Sequence, residues 1–184
     1  MSDTDSENSQ APSKKVLIIG LDNSGKTSIL LSLTKTTNLL SYFSIKPTKG
    51  IQISSIEDGE RIVKVWDFGG QKSYRNDYLQ NMDQYIEGVD ELIYVIDIQD
   101  RRRYDEALEY LKNILKAIGK PERKIDLTIY FHKFDPLLDV LEEYSTQTIS
   151  LKLVGDINAI ATPTYDPKIF KTSIYTIFQK KTFQ

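Results

Sequence analysis

The chain has 184 residues, 40% of them hydrophobic and 27% charged, with a net charge of −2 and no cysteine. This length supports one well-packed domain and is too short for two of ordinary size. A near-neutral charge gives no long-range field to hold the protein on nucleic acid or an anionic membrane, and the absence of thiols excludes disulfides, thiolate metal sites and S-linked lipid anchors.

The apolar runs, such as Val16 to Ile19, fall far short of the roughly 20 residues a membrane span requires. The opening MSDTDSENSQAPS is polar and acidic, lacks the basic and apolar regions of a signal peptide, and has Ser2 where N-myristoylation requires glycine. Residues 1–13 are read as a disordered tail and 14–184 as the folded domain. A reducing, cytoplasmic setting fits, with membrane contact only through partners.

In chain order, Lys15 to Ile19 is a buried-strand run ending at Gly20, and Ile29, Leu30 and Leu33 follow Lys26 with helical spacing. After a loop from Leu39 to Lys49, Ile51 and Ile53 and then Ile62, Val63 and Val65 form two extended segments. Asp58-Gly59 joins them as a hairpin turn. Leu92 to Ile96 reads as a parallel strand. Asp105 to Ile118 carries Ala107, Leu108, Leu111, Ile114, Leu115 and Ile118 on one helical face, closed by Gly119 and Pro121. Ile125 to Phe131 reads as the next strand, Pro136 to Tyr144 as the start of a helix and Ile169 to Ile174 as the last strand. The stretch between Tyr144 and Pro167 shows no clear pattern. Alternating strands and helices predict an α/β fold, whose ligands bind at the carboxyl ends of the strands.

The strongest signal is Gly20-Leu21-Asp22-Asn23-Ser24-Gly25-Lys26-Thr27, a GxxxxGKT sequence set between strand and helix. The glycines let backbone N–H groups turn inward around phosphates, Lys26 reaches the terminal phosphates, and Thr27 offers its hydroxyl to Mg²⁺. Asp22, Asn23, Ser24, Gly25 and Ser28 complete the expected phosphate contacts. The fold this implies is the three-layer P-loop NTPase fold. Its mostly parallel six-stranded sheet has one antiparallel edge hairpin and helices on both faces.

Val65-Trp66-Asp67-Phe68-Gly69-Gly70-Gln71 ends a strand in a carboxylate, two glycines and a glutamine. Asp67 suits a water-mediated Mg²⁺ contact, Gly70 a γ-phosphate sensor, and Gln71 a residue that orients the attacking water. Phe131-His132-Lys133-Phe134-Asp135 follows another strand. Its carboxylate could accept N1–H and N2–H of guanine, a donor pair adenine lacks. Alone, that segment also reads as a strand end running into a loop, with His132 a core or rim histidine.

Together these motifs resemble the small GTPases of the Ras superfamily, nearest the Arf and Arf-like branch. GLDNSGKTSIL resembles the Arf phosphate loop, KPTKGIQI its first switch, VWDFGGQ its second and VIDIQDRRRYDEA the entry to its third helix. The resemblance implies that Thr48 binds Mg²⁺ when GTP is present, and that the short span from Thr48 to Asp67 is an interswitch hairpin. Two motifs are similar to Rag GTPases instead. His132-Lys133-Phe134-Asp135 stands where Arf proteins have Asn-Lys-x-Asp, and the last motif reads Lys171-Thr172-Ser173-Ile174-Tyr175, with Ser173 and Ile174 as base contacts.

The implied activity is Mg²⁺-dependent hydrolysis of GTP to GDP, with Gln71 and Lys26 as catalytic residues. Without an assignable arginine in cis, turnover should be slow, of order 10⁻⁴ to 10⁻² s⁻¹, and raised by an activating protein. Exchange and effector proteins are the other implied partners. The alternative is a non-catalytic guanine-nucleotide-binding scaffold in a Rag-like complex. Arg101-Arg102-Arg103 at a helix entrance reads as a solvated face, and Tyr74, Tyr78 and Tyr85 chiefly as packing residues.

Overall fold

The computed structural model describes residues 13–34, 37–59, 61–120 and 123–175. The expected N-terminal tail therefore lies, except for Ser13, outside the described residues, as does the chain beyond Tyr175. Six strands form one sheet: β1 (Ser13–Gly20), β2 (Ile51–Asp58), β3 (Arg61–Phe68), β4 (Glu91–Asp97), β5 (Asp126–His132) and β6 (Lys168–Lys171). Their order is β2-β3-β1-β4-β5-β6. All neighbours run parallel except β2 and β3, which are antiparallel from Ile51 opposite Phe68 to Asp58 opposite Arg61.

The central strand explains the layering. Val16 to Ile19 are all buried, and alternate side chains go to opposite faces of the sheet. Leu17 and Ile19 join the larger core, which contains Leu111 and Ile114 of helix α5 (Tyr104–Ile118) and Ile157 of α7 (Gly155–Ala161). Val16 and Ile18 join a smaller cluster with Val65, Val95 and Leu30 of α1 (Lys26–Ser32). Each fully buried aliphatic side chain contributes about 1.5–3 kcal/mol relative to exposure.

Several elements depart from the sequence expectation. The loop expected from Leu39 to Lys49 opens with a short helix, α2 (Leu39–Phe43), where the Asn38 side chain accepts from the Ser41 N–H. After Gln71 come α3 (Lys72–Gln80) and α4 (Met82–Ile86). Pro136 to Tyr144 is not an α-helix but two tighter 3₁₀ turns, Pro136–Val140 and Glu142–Tyr144. The unpatterned stretch contains α6 (Thr146–Ile149), a π-helical turn (Ser150–Val154) and α7. Strand β6 ends at Lys171 rather than Ile174, although Thr172 stays tied to the end of β5: its N–H donates to Phe131 O and its carbonyl accepts from the Phe134 N–H.

This topology brings the C-terminal ends of β1, β3, β4 and β5 to one edge, where Gly20, Phe68, Asp97 and His132 close their strands. The phosphate-loop, second-switch and base motifs gather there or on the loops that follow, and the first switch reaches the same edge because antiparallel β2 starts opposite Phe68.

Candidate functional site

The phosphate loop turns from β1 into α1 through two left-handed residues, Asn23 at φ 58° and Gly25 at φ 93°. A side chain at Gly25 would also collide with the His132 ring, since its Cβ would lie 2.3 Å from Cδ2. Lys26 is 5% exposed, and its Nζ donates to Gly20 O at 3.1 Å, Leu21 O at 2.8 Å and Ser24 Oγ at 3.4 Å. Burial pulls its pKa down to about 8, against the opposing pull of Asp67 and Asp22. A cleft of about 260 Å³ opens over this loop. Asp22, Asn23, Gly25, Lys26, Thr27 and Ser28 line one wall, and Thr48, Gly70 and Gln71 the other, beside Pro47. Buried Ser24 lies beneath the loop rather than on that wall.

Three side chains from different elements converge at one end of the cleft. Thr27 Oγ1 lies 2.9 Å from Thr48 Oγ1, and both hydroxyls donate to Asp67 Oδ2, at 2.7 and 3.1 Å. Asp67 is 1% exposed, and burial raises its pKa despite the two hydroxyls and Lys26. Its Oδ1 is buried without a hydrogen-bond partner. Two hydroxyls and a carboxylate with a spare oxygen form a hard-donor set that suits Mg²⁺. Among the described residues no group of three or more His, Cys, Asp or Glu could hold a metal.

The second switch packs directly on the phosphate loop. A Cβ at Gly70 would lie 2.2 Å from the Asp22 nitrogen, so only glycine permits the approach that lets the Asp22 N–H donate to Gly70 O at 3.1 Å. Gly69 N–H donates to Gly50 O at 2.9 Å, and Tyr78 Oη donates to the same carbonyl at 2.8 Å. Gln71 caps α3 at the mouth of the cleft. Tyr78 packs edge-on to Phe68 with Tyr85 beside both, so these tyrosines belong to the interior framework of the switch.

A second cleft, about 310 Å³, adjoins the first over Gly25 and Ser28. His132, Lys133, Asp135 and Ile174 line it, with Leu39, Tyr42 and Tyr175. Asp135 is held from two sides: Ser173 Oγ donates to Oδ1 at 2.5 Å, and Gln99 Nε2 to Oδ2 at 3.0 Å. The Gln99 amide also reaches Lys133 O at 2.7 Å. Lys133, at φ 60°, forms an ion pair with Asp97 at 2.7 Å. His132 is 3% exposed, with Nδ1 2.9 Å from Thr172 Oγ1. Burial, and then Lys133, lowers its pKa. This is a core histidine that also forms a wall of the cleft.

The structure thus brings most of the predicted phosphate, metal and base residues together in two contiguous clefts, with Ser24, Asp67 and Ser173 outside the lining of either. Sequence reasoning missed Leu39, Tyr42, Gln99 and Arg103. The first two lie on the unread helix α2, and Gln99 lies in the VIDIQDRRRYDEA segment, which reads as a strand end and helix entry with no contact assigned to it. Arg103 was grouped with a solvated run, yet its Nη2 donates to Asp22 Oδ1 at 2.7 Å. Arg101 does match the solvated reading, pairing with Glu143 at the surface.

A Gly-rich loop at the carboxyl edge of a doubly wound sheet, with a buried lysine and a threonine–aspartate cluster beneath it, defines a P-loop nucleotide-binding protein. The Gtr1/RagA G protein conserved region matches residues 15–180. Similar proteins include ADP-ribosylation factor-like protein 3 of Caenorhabditis elegans, 35% identical over 77% of this chain and 72% of the relative. The same-named protein of Chlamydomonas reinhardtii is 34% identical over 77% and 75%. The fold is shared with a Trypanosoma brucei Arl6 small GTPase bound to GppNp, with a TM-score of 0.69, 22% identity and coverage of 88% and 87%. The chain belongs to the Ras-superfamily small GTPases, on their Arf-like side, and carries the Gtr1/RagA G-protein region. It is accordingly a GTP-binding switch protein with the GTPase activity of that family, and the scaffold alternative is not favoured. No helix among the described residues is long and apolar enough to cross a membrane.

Proposed function

We propose that the two clefts hold one guanine nucleotide with Mg²⁺, phosphates in the first and base in the second, and that GTP is hydrolysed slowly there. The observation that carries this reading is the convergence of Lys26, Thr27, Thr48 and Gly70 on one cleft, with Asp67 bonded to both threonines behind it, that runs into the Asp135 cleft across Gly25. Catalysis of phosphoryl transfer is mainly positioning and charge stabilisation. Lys26 and the loop N–H groups bind the β- and γ-phosphates, and Gln71 at the cleft mouth orients the attacking water. Thr27, Thr48 and, through water, Asp67 would hold Mg²⁺, which would supply neutralisation of phosphate charge. Asp135 accepts from guanine, Ser173 and Ile174 flank the base, and His132 and Lys133 wall it.

Thr48 and Gly70 belong to different switches and meet at the γ-phosphate position, so loss of that group releases both and changes partner affinity. Turnover is expected at about 10⁻⁴ to 10⁻² s⁻¹, with separate activating, exchange and effector proteins in a cytoplasmic setting. Residues 14–184 act as the G domain.

The test is a single-turnover assay with γ-labelled GTP and Mg²⁺, preceded by chromatography of the nucleotide carried through purification. Bound GDP and slow phosphate release, reduced at least about tenfold in Gln71→Leu, support the reading. Equal inertness of both proteins would return the chain to a scaffold role.

A further inference from the structure

The phosphate loop carries a carboxylate at an unfavourable place. Asp22 lines the phosphate cleft, and its backbone nitrogen, with the Leu21 carbonyl group, packs on Gly70, the expected γ-phosphate sensor. An uncompensated carboxylate on a residue lining that cleft would disfavour the added charge of a γ-phosphate. Arg103, in the 3₁₀ turn Arg101–Arg103 leading into α5, reaches across to it. Its Nη2 donates to Asp22 Oδ1 at 2.7 Å and its Nη1 to Asp22 O at 3.4 Å.

Arg103 is itself fixed from behind. Its Nε donates to Glu106 Oε2 at 2.8 Å, and the other oxygen of Glu106 accepts from Arg75 Nη2 at 2.7 Å. Arg75, on α3, is 8% exposed and lies over the Tyr110 ring, 5.3 Å from its centroid. The four side chains alternate in sign, Asp22, Arg103, Glu106, Arg75, and sum to no net charge. Because Gly70 precedes α3 and bonds to Asp22, the chain of contacts closes on itself: phosphate loop, α5, α3 and back through the second switch. A surface ion pair alone carries little weight, but this one is half-buried, forked and held by a second acid.

Resting on the GTPase reading, we propose that Arg103 sets the preference for nucleoside triphosphate over diphosphate by neutralising Asp22 beside Gly70. It is a positioning and charge-compensating residue rather than a catalytic one, since it acts through Asp22. The diphosphate, which places no group at Gly70, is much less affected.

The test measures equilibrium dissociation constants for GDP and for GppNp in the wild type, Arg103→Ala, Arg103→Gln and the double variant Arg103→Ala/Asp22→Asn. Both single variants should lose about tenfold in the triphosphate-over-diphosphate ratio, the order expected for one uncompensated charge in a half-solvated site. Arg103→Gln keeps most of the side-chain length, so it reports the charge even if Arg103→Ala folds poorly. The double variant should recover most of the ratio, which a merely structural role for Arg103 would not produce. An unchanged ratio in both single variants, or a double variant no better than Arg103→Ala, overturns the inference while leaving the GTPase reading intact. A wild type that binds neither nucleotide overturns both.

Discussion

The two ends of the nucleotide site are built differently. At the phosphate end the determinants are buried and largely backbone: Lys26 and Asp67 are almost fully enclosed, and glycines allow loop and switch to touch. At the base end the cleft is assembled from side chains of two loops, of α1 and α2 and of the end of β5, and Asp135 is aimed by neighbours, Ser173 and Gln99, that belong to other segments. Buried charges are costly to rearrange, whereas a clamp of partly exposed side chains tolerates exchange. Affinity should therefore reside mainly in the first end and selectivity in the second.

The largest effect expected is from Lys26→Ala. Removing a buried, charge-assisted contact costs about 2–5 kcal/mol, so GDP affinity should fall by about thirtyfold to several-thousandfold in equilibrium titration with a fluorescent nucleotide. A loss below tenfold would break the division of labour. Next is Asp135→Ala, which should cut the preference for GTP over ATP by about two orders of magnitude in competition binding. If affinity for both nucleotides fell equally, Asp135 would be an anchor and not a reader.

Lys26 also gives a pH signature of intermediate size. With its folded pKa near 8 and an ordinary value of 10.5, it is partly neutral above pH 8 and regains its proton when phosphate arrives. Calorimetry in buffers of different ionisation enthalpy should then show proton uptake on GDP binding at pH 8.5 to 9 that is absent in Lys26→Met. The same shift makes the charged lysine a destabilising load below pH 8, relieved as pH rises from about 8 to 10.5.

The smallest effect belongs to His132. The fold holds its pKa below the ordinary 6.5, so the unfolded chain protonates first as pH falls. Stability should drop from about pH 6.5 downward until the folded-state histidine also protonates. Thermal unfolding of wild type against His132→Asn between pH 7.5 and 5.5 should show the slope in the wild type alone.

Legibility in the sequence follows the same divide. The phosphate loop was readable because backbone wrapping demands glycine and lysine at fixed spacing just where a strand becomes a helix. Helix α3 was not, because its buried residues are Arg75 and Tyr78, which leave no apolar stripe to count. A signal for the α6–α7 region did exist: Ile149, Leu153, Ile157 and Ala161 recur every fourth residue and are all buried. That unbroken spacing of four is wider than the 3.6-residue α-helical period and fits a stretch containing the π-helical turn Ser150–Val154. Gln99 and Arg103 act through contacts with Asp135 and Asp22 that are distant in sequence, and no local pattern announces such contacts.

The Gly50 carbonyl accepts from both Gly69 N–H and Tyr78 Oη. One acceptor thus joins the first switch to the strand end that starts the second, and to a helix behind it. In hydrogen-exchange terms the three segments form a single opening unit: the amides of Gly69 and of the α3 turn around Tyr78 should exchange with one shared free energy, and a partner that protects one should slow them all.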